Sequence, residues 1–141
     1  KFSSKYSINI SASYNYLGQM NKELGKNVEA LDCFMKSIDI YNENAVEKGL
    51  EIFYSNAGQA LYNLERYTEA EAYIKKSLGL FDKFNVIWGR DFAECYAALI
   101  EIKKGNCIKA SKHAEEAYSI ANKLNNPESL SLAEKIINQI K

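Results

Sequence analysis

Residues 56–70 read NAGQALYNLERYTEA, and this stretch holds two helical patterns in succession. Its first half carries apolar residues at the spacing of one helix face, among them Ala57 and Leu61. Gly58 lies inside that pattern, although a glycine in a helix interior costs about 1 kcal/mol relative to alanine. The LERY segment at 64–67 then interrupts the first pattern before the second begins. The stretch therefore predicts two helices joined by a tight turn, with a glycine that needs a packing explanation.

The same arrangement recurs every 40 residues along the chain. The segments after each turn are NVEALDCFMKSIDIY, YTEAEAYIKKSLGLF and CIKASKHAEEAYSIA, at residues 27–41, 67–81 and 107–121. Ala30, Ala70 and Ala110 share one position of these segments, and Gly18 lies 40 residues before Gly58. Such periodicity is the signature of a repeat protein, and it predicts three antiparallel helix pairs in which the glycines allow two helices to approach closely. The pairs are expected at about residues 5–44, 45–84 and 85–124.

The C-terminal segment, 126–141, predicts one further helix. Asn126 is a favourable N-cap residue, and Pro127 suits the first helical turn. Apolar residues follow at helical spacing up to Ile140. A terminal helix of this kind covers the open end of a stack of repeats, although a fourth, truncated repeat would give the same pattern. Because the chain has one proline and seven glycines, the sequence predicts an all-α fold in a single domain, residues 1–141.

Composition argues against several classes of partner. Lysine plus arginine equal aspartate plus glutamate at 18 each, so the formal net charge is zero, and no polybasic run is present. A nucleic acid or an acidic membrane surface would favour a basic face, and no apolar run is long enough to span a bilayer. Three cysteines without tight spacing argue against a disulfide framework and predict a cytoplasmic protein. The chain begins with Lys1 rather than methionine, which predicts a fragment of a longer protein.

The repeated positions resemble the tetratricopeptide repeat family in its long, 40-residue form. The family pattern has an aromatic residue and Leu-Gly on the first helix, and Ala with an aromatic residue on the second. The first two repeats match this pattern at Tyr14, Leu17, Gly18, Ala30, Phe34, Tyr54, Ala57, Gly58, Tyr67, Ala70 and Ile74. The resemblance implies an α-solenoid, a right-handed superhelix with a concave groove lined by residues 11–24, 51–64 and 91–104. It also implies a non-enzymatic module that binds a protein or peptide, as in the repeat domains of bacterial regulators that sense short signalling peptides.

The remaining arc of the first helices is rich in amides and tyrosines, whereas ordinary exposed helix faces favour Lys and Glu. Amide side chains both donate and accept hydrogen bonds, so they can hold the backbone of an extended peptide. The candidate ligand-binding residues are Asn15, Gln19, Lys22, Ser55, Asn56, Gln59, Tyr62, Asn63 and Tyr96. The family resemblance points most strongly to Asn56 as a contact with peptide backbone. The alternative is that the amides only solvate the surface or bond between neighbouring repeats.

The third repeat departs from the family pattern, because Glu94 and Glu101 stand where aromatic residues are expected. Its first helix, 91–104, is apolar on nearly all sides, so either the helix is rotated or its groove side is apolar. This leaves a second function open. In that alternative the chain is a structural scaffold that self-associates as a homodimer through helix 91–104 or the C-terminal helix.

Some tetratricopeptide domains hold chaperone C-termini with a lysine-rich carboxylate clamp. Asn56 fits that pattern, but the positions that should be basic hold Asn15, Phe92 and Tyr96. The resemblance therefore does not imply this class of partner.

The sequence offers no candidate catalytic or metal-binding residues. His113 is the only histidine, and Cys107 lies six residues before it on the same predicted helix. That separation is about 600° of rotation, so the two side chains do not share a face as base and nucleophile. The cysteines lack zinc-ligand spacing, and no glycine-rich phosphate loop is present. We therefore predict a protein that is not an enzyme and needs no cofactor or metal.

Overall fold

The computed structural model describes residues 4–141, which form a succession of helices joined by short turns. Within that range it has seven α-helices and no β-strand. The helices are α1 (Ser4–Glu23), α2 (Asn27–Glu43), α3 (Leu50–Asn63), α4 (Tyr67–Phe84), α5 (Arg90–Lys103), α6 (Cys107–Leu124) and α7 (Pro127–Ile140). Helices α1, α3 and α5 are the first helices of the three predicted pairs, and α2, α4 and α6 are the second.

The turn inside each helix pair has the same backbone geometry. Its left-handed residues are Gly25, Glu65 and Gly105, with φ angles of 77°, 62° and 79°. In the first turn the Lys26 N–H donates to the Asn21 carbonyl at 2.8 Å, and the equivalent bond in each later turn measures 2.9 Å. A left-handed residue closed by such a bond is a common way for a helix to end. The 40-residue period is therefore present in the backbone as well as in the side chains.

The turns that follow the second helices also resemble one another. Ala45, Asn85 and Asn125 have φ angles of 55°, 53° and 52°. The Val46 N–H donates to the Tyr41 carbonyl at 2.9 Å, and the equivalent bonds 40 and 80 residues later measure 3.2 Å and 3.0 Å. Each of these turns is therefore closed by a backbone hydrogen bond, although the residue in the left-handed conformation is not the same in all three.

Residues up to Leu80 form one compact unit. Its core joins α2 to α3 and consists of Ala30, Phe34, Ile38, Tyr41, Leu50, Phe53, Ala57 and Ala60. The Tyr41 and Phe53 rings meet edge to face with their centroids 4.8 Å apart. Because burying a large apolar side chain is worth about 1.5–3 kcal/mol, packing of one helix pair on the next is a main source of stability in this unit.

The close approach predicted at the repeated glycines is present. Gly18 of α1 faces Phe34 of α2, and Gly58 of α3 faces Ile74 of α4. A Cβ built on Gly18 would lie 2.5 Å from Phe34 Cε1, and one built on Gly58 would lie 2.7 Å from Ile74 Cδ1. Both glycines are therefore explained by packing, because any side chain would displace a buried neighbour.

Tyr14 and Tyr54, which occupy the aromatic position of the first helices in the repeat pattern, are half-buried. The Tyr54 ring meets Tyr73 edge to face at 5.7 Å, and Lys76 Nζ lies 5.4 Å from the centroid of the Tyr54 ring. Tyr14 has a similar contact with Lys36, also at 5.4 Å. Because tyrosine can pack its ring while its hydroxyl stays near water, half-burial is compatible with the aromatic position of the pattern.

Residues 81–141 form a second compact unit, in which α7 packs against α5 and α6. Its core consists of Cys95, Ala98, Ala114, Ala117, Ala133 and Ile136. Asn126 is the N-cap of α7, as predicted, because its side-chain oxygen accepts from the Glu128 N–H at 3.1 Å and Pro127 lies in the first turn. Alanines at four of the six core positions allow the three helices to lie close together.

Candidate functional site

The polar residues predicted on the first two repeats lie on α1 and α3, both within the unit that ends at Leu80. On α3, Ser55, Asn56 and Gln59 are 3%, 7% and 3% exposed. Polar groups buried this deeply are costly unless they are hydrogen-bonded. Among the described residues, every buried side-chain nitrogen and oxygen has a hydrogen-bond partner. The polar side of α3 is therefore part of a hydrogen-bonded network.

One bridge joins the two helices through asparagines. Asn56 Nδ2 of α3 donates to Asn15 Oδ1 of α1 at 2.8 Å. Asn15 is half-buried, so the bond forms at the edge of the solvent. An asparagine amide has two N–H donors and an oxygen with two lone pairs, and the bridge uses one N–H of Asn56 and one lone pair of Asn15. The bond orders both amide side chains and uses only some of their hydrogen-bond donors and acceptors.

A second bridge runs from a lysine to a glutamine. Lys22 Nζ of α1 donates to Gln59 Oε1 of α3 at 2.5 Å. Gln59 Nε2 donates in turn to Ser55 Oγ of the same helix at 3.1 Å. The charged donor fixes the amide oxygen toward α1 and the amide nitrogen toward Ser55. We call Asn15, Lys22, Ser55, Asn56 and Gln59 together the amide face.

The other predicted residues of this unit lie outside the two bridges. Gln19 is half-buried on α1. Asn63 is exposed at the end of α3 and donates from Nδ2 to Asn27 Oδ1 of α2 at 3.2 Å. The Tyr62 ring meets the Tyr67 ring edge to face at 5.2 Å. Sequence reasoning missed Asn27, because a polar residue at the start of a helix carries no pattern that predicts a contact with another helix.

The remaining candidate, Tyr96, belongs to the second unit. With Leu99 and Ile102 it is half-buried against the core of that unit. Glu94 and Glu101 of the same helix are 3% and 7% exposed. The sequence left the orientation of helix 91–104 open. In the structure its two glutamates are buried and Tyr96 is partly at the surface.

A network in the second unit explains why a glutamate is tolerated inside it. Glu94 Oε2 accepts from Arg90 Nε at 3.1 Å, and Glu94 Oε1 lies 2.6 Å from His113 Nδ1. Arg90 also forms an ion pair with Asp82 at 2.5 Å. His113, the single histidine of the sequence, is a partner of this buried carboxylate. The contact joins residues 19 apart in sequence, on different helices, and no single-helix pattern points to it.

Thiols and acidic groups are among the side chains that can hold a metal ion or act as nucleophiles. Residues 4–141 contain no group of three or more His, Cys, Asp or Glu side chains placed to hold a metal ion. Cys95 is fully buried, and burial raises the pKa of its thiol to about 12, with the nearby Asp91 and Glu94 adding to the effect. A thiol that stays protonated is a weak nucleophile.

The segment that matches a known protein family lies within the first unit. Residues 53–80, which span most of α3 and α4, match the family model described as "Tetratricopeptide repeat". Residues 53–80 form a tetratricopeptide repeat. The matched segment includes Asn56, Gly58 and Gln59, and it supports the family predicted from the sequence.

A curated relative extends the likeness to most of the chain. The chain is 25% identical over 129 residues to "Tetratricopeptide repeat protein 19 homolog, mitochondrial" of Drosophila melanogaster. The alignment covers 90% of this chain but 35% of the relative, so the chain spans about a third of the relative's length. Within residues 4–141, none of the helices combines the length and the apolar character needed to cross a membrane.

Solved tetratricopeptide-repeat domains show the same fold. The Arabidopsis OM64 domain matches with a TM-score of 0.70 at 14% identity, covering 94% of this chain and 98% of that one. The first domain of Spaghetti (RPAP3), bound to the HSP90 peptide SRMEEVD, matches with a TM-score of 0.69 at 18% identity, covering 94% and 97%. The human RPAP3 domain solved by NMR gives 0.67 at 20%, covering 93% and 91%. The predicted all-α class and the helix-pair arrangement of an α-solenoid are confirmed.

Proposed function

We propose that this tetratricopeptide-repeat chain is a non-enzymatic module that holds an extended peptide, or an extended segment of a partner protein, against its amide face. The observation that carries the proposal is the Asn15–Asn56 bridge, which fixes the half-buried Asn15 amide at the edge of the solvent and the buried Asn56 amide beside it. Because both side chains are already ordered, the entropic cost of binding falls mainly on the ligand. Their further donor and acceptor capacity matches the N–H and C=O groups of an extended backbone.

The charge of the amide face indicates whether it prefers acidic peptides. Lys22 brings one cation, and that ammonium is already bonded to Gln59. The Spaghetti domain, which shares this fold, is bound to SRMEEVD, a peptide with three acidic side chains. Here Asn15 stands at a position that the family resemblance expects to be basic. We therefore propose that the face binds peptide backbone and has little preference for acidic peptides.

Two matched variants test this proposal. Random 12-residue peptides are displayed on phage and selected with the wild-type chain, and the Kd of the recovered sequences is measured by fluorescence anisotropy. The test variant is Asn56→Ala with Gln59→Ala. The control is Asn138→Ala with Gln139→Ala, which removes the same two side chains from the exposed side of α7. We expect a Kd at least about tenfold weaker in the test variant, since each lost hydrogen bond is worth about 1 kcal/mol, and no change in the control.

Two controls distinguish a loss of peptide binding from misfolding of the test variant. Circular dichroism reports whether the test variant keeps its helices, and Asn15→Ala, which changes a half-buried residue, provides a milder second variant. SRMEEVD serves as a negative probe and should bind no better than its scrambled sequence. Equal Kd values for wild type, test variant and Asn15→Ala would remove the basis of the proposal.

The alternative function, self-association, is tested on the same samples. If helix 91–104 mediated a dimer, light scattering would give a molar mass that rises with concentration and falls again in a Tyr96→Lys variant. The contacts of Tyr96 with its own core give no preference for that function. We propose the peptide-binding role as the principal one.

The cellular role extends the proposal further. The resemblance to bacterial peptide-sensing regulators leads us to propose that the module is the sensing part of a cytoplasmic regulator. The Drosophila relative is named mitochondrial, which describes that protein. Imaging a fluorescent fusion of the full-length protein in its own host distinguishes a diffuse cytoplasmic signal, which we expect, from an organellar signal, which would overturn this part of the proposal.

A further inference from the structure

An open groove lies between α2, α3 and α4 in the unit that ends at Leu80. Its volume is about 660 Å³, which lies within the range of roughly 300–1,000 Å³ that small-molecule sites occupy. The large apolar side chains that line it are Val46, Leu50, Tyr54 and Leu80. Leu50 is buried and the other three are half-buried. The groove is therefore large and apolar enough to take the hydrocarbon part of a small molecule.

A cation is held at this groove. Lys76 of α4 is one of the lining residues, and Lys76 Nζ lies 5.4 Å from the centroid of the Tyr54 ring and 5.9 Å from that of Tyr73. An ammonium at such distances is attracted to the face of an aromatic ring. Among residues 4–141, which the structure describes, no carboxylate forms an ion pair with Lys76. Its positive charge is therefore available to an anionic ligand.

The equivalent lysine of the first repeat has a different set of partners. Lys36 lies 40 residues before Lys76, and its Nζ is likewise 5.4 Å from the centroid of a tyrosine ring. Lys36 also forms an ion pair at 3.1 Å with Asp32, one helical turn earlier. The residue equivalent to Asp32 in the second repeat is Ala72. The lysine is therefore neutralised by a carboxylate in the first repeat and lacks that carboxylate at the groove.

A glycine replaces a second acidic residue at the groove. Gly79 is a lining residue, and the first repeat has Asp39 at the equivalent position. A Cβ built on Gly79 would meet no atom within 4 Å, so the glycine leaves the groove open. Glu47 also lines the groove, in the turn between α2 and α3. A ligand carboxylate is repelled by Glu47 and attracted by Lys76, which fixes the direction in which an anionic ligand lies.

We propose that this groove, which is separate from the amide face and does not depend on the proposed function, binds a small apolar carboxylic acid. The ligand carboxylate accepts a hydrogen bond from Lys76 Nζ, and its hydrocarbon chain covers the apolar lining. A charge-assisted hydrogen bond is stronger than a neutral one, and the chain contributes through the apolar area that it removes from water. The groove therefore selects against neutral and cationic molecules that have the same chain.

Titration calorimetry with three eight-carbon ligands tests the charge preference. Octanoic acid, 1-octanol and octylamine share a chain and differ in their head groups, and each is titrated below the concentration at which it forms micelles. We expect octanoate to bind with a Kd at least about tenfold lower than that of either other ligand. A tetrapeptide that ends in leucine with a free carboxylate is the fourth ligand. It should bind more weakly than octanoate, because the rest of its chain must leave the groove.

Matched variants locate the binding site. Lys76→Met keeps most of the side-chain length and removes the charge, whereas Gly79→Leu fills the groove and keeps Lys76. We expect each variant to weaken octanoate binding by at least about tenfold. Lys75→Met is the control, because Lys75 is exposed on the same helix and does not line the groove. The control should keep the wild-type Kd.

Several outcomes would overturn the inference. These are the absence of saturable octanoate binding, a Kd for 1-octanol or octylamine equal to that of octanoate, and equal octanoate affinity of Lys76→Met and Lys75→Met. Tighter binding of the leucine-ended peptide would assign the groove to a chain terminus and would also overturn it. The Asn56→Ala, Gln59→Ala variant should keep the wild-type octanoate Kd, which separates this inference from the proposed function. Loss of octanoate binding in that variant would place the ligand at the amide face instead.

Discussion

Gly58 of α3 lies against Ile74 of α4 so closely that a Cβ on the glycine would be 2.7 Å from Ile74 Cδ1 and 2.8 Å from Ile74 Cγ1. Real Cβ atoms do not approach a side chain to that distance, and Ile74 is 2% exposed and cannot move into solvent. The contact repeats 40 residues earlier between Gly18 and Phe34. The glycine that weakens the helix in isolation therefore allows the helix pair to close.

The first prediction concerns Gly58→Ala. We expect it to lower the free energy of unfolding by about 1–3 kcal/mol, because overpacking a buried site outweighs the gain of about 1 kcal/mol in helix propensity. The measurement is urea denaturation followed by circular dichroism. Gly79→Ala is the control, since a Cβ there meets no atom within 4 Å, and it should raise stability by up to about 1 kcal/mol. A Gly58→Ala chain as stable as Gly79→Ala would contradict the close approach.

Much of the fold could be predicted from the sequence, because the signals that define it are local or periodic. Gly18 and Gly58, and the alanines of the second helices, recur at 40-residue intervals, and helix periodicity decides which side of each helix is buried. The degree of burial could not be predicted in the same way. Tyr14 and Tyr54 occupy aromatic positions of the pattern but are half-buried, since a tyrosine satisfies the pattern while its hydroxyl stays near water.

The second prediction concerns the serines that recur on α2 and α4. Ser77 Oγ donates to the Glu51 carbonyl at 2.6 Å, and Ser37 Oγ donates to the Ser11 carbonyl at 2.8 Å. We expect Ser77→Ala to cost about 1–2 kcal/mol of unfolding free energy, because it leaves a buried carbonyl without this donor. Thermal and urea denaturation measure the loss.

Ser131 of α7 provides the control for this change, because its side chain is exposed. Ser131→Ala should alter the free energy of unfolding by less than about 0.5 kcal/mol. The alternative outcome, equal small effects at Ser77 and Ser131, would mean that the hydrogen bond between the two helices adds nothing to stability.

The third prediction concerns Glu65, which has a φ angle of 62° in a turn whose counterparts are Gly25 and Gly105. A residue with a Cβ is strained by about 1 kcal/mol in this conformation. Glu65→Gly should therefore raise stability by up to about 1 kcal/mol, seen as a higher Tm. Ala72→Gly, at an exposed position inside α4, should do the reverse and lose about 1 kcal/mol. A loss of stability at both positions would show that the turn is not strained.

The candidate site could be predicted only in part. Periodicity along α1 and α3 placed Asn15, Asn56 and Gln59 on one side of their helices, and the structure brings them together. The bridges themselves could not be derived, because Asn15 and Asn56 are 41 residues apart and their contact depends on how one helix pair sits on the next. Contact of this face with a ligand stays a prediction. The pairing of Glu94 with His113 could not be predicted from the sequence for the same reason, since it joins two different helices.

The last prediction concerns the pH dependence of stability through Cys95. Burial raises the pKa of this thiol from 9.0 to about 12 in the folded chain, so between these values the unfolded chain loses a proton that the folded chain keeps. Stability should then fall as pH rises above 9, by up to about 1.4 kcal/mol per pH unit for this group. Cys95→Ala removes that contribution, so its stability should fall less steeply between pH 9 and pH 11 in urea denaturation. Cys107→Ala, which changes an exposed thiol, should keep the wild-type slope, and identical slopes in all three chains would show that Cys95 ionises normally.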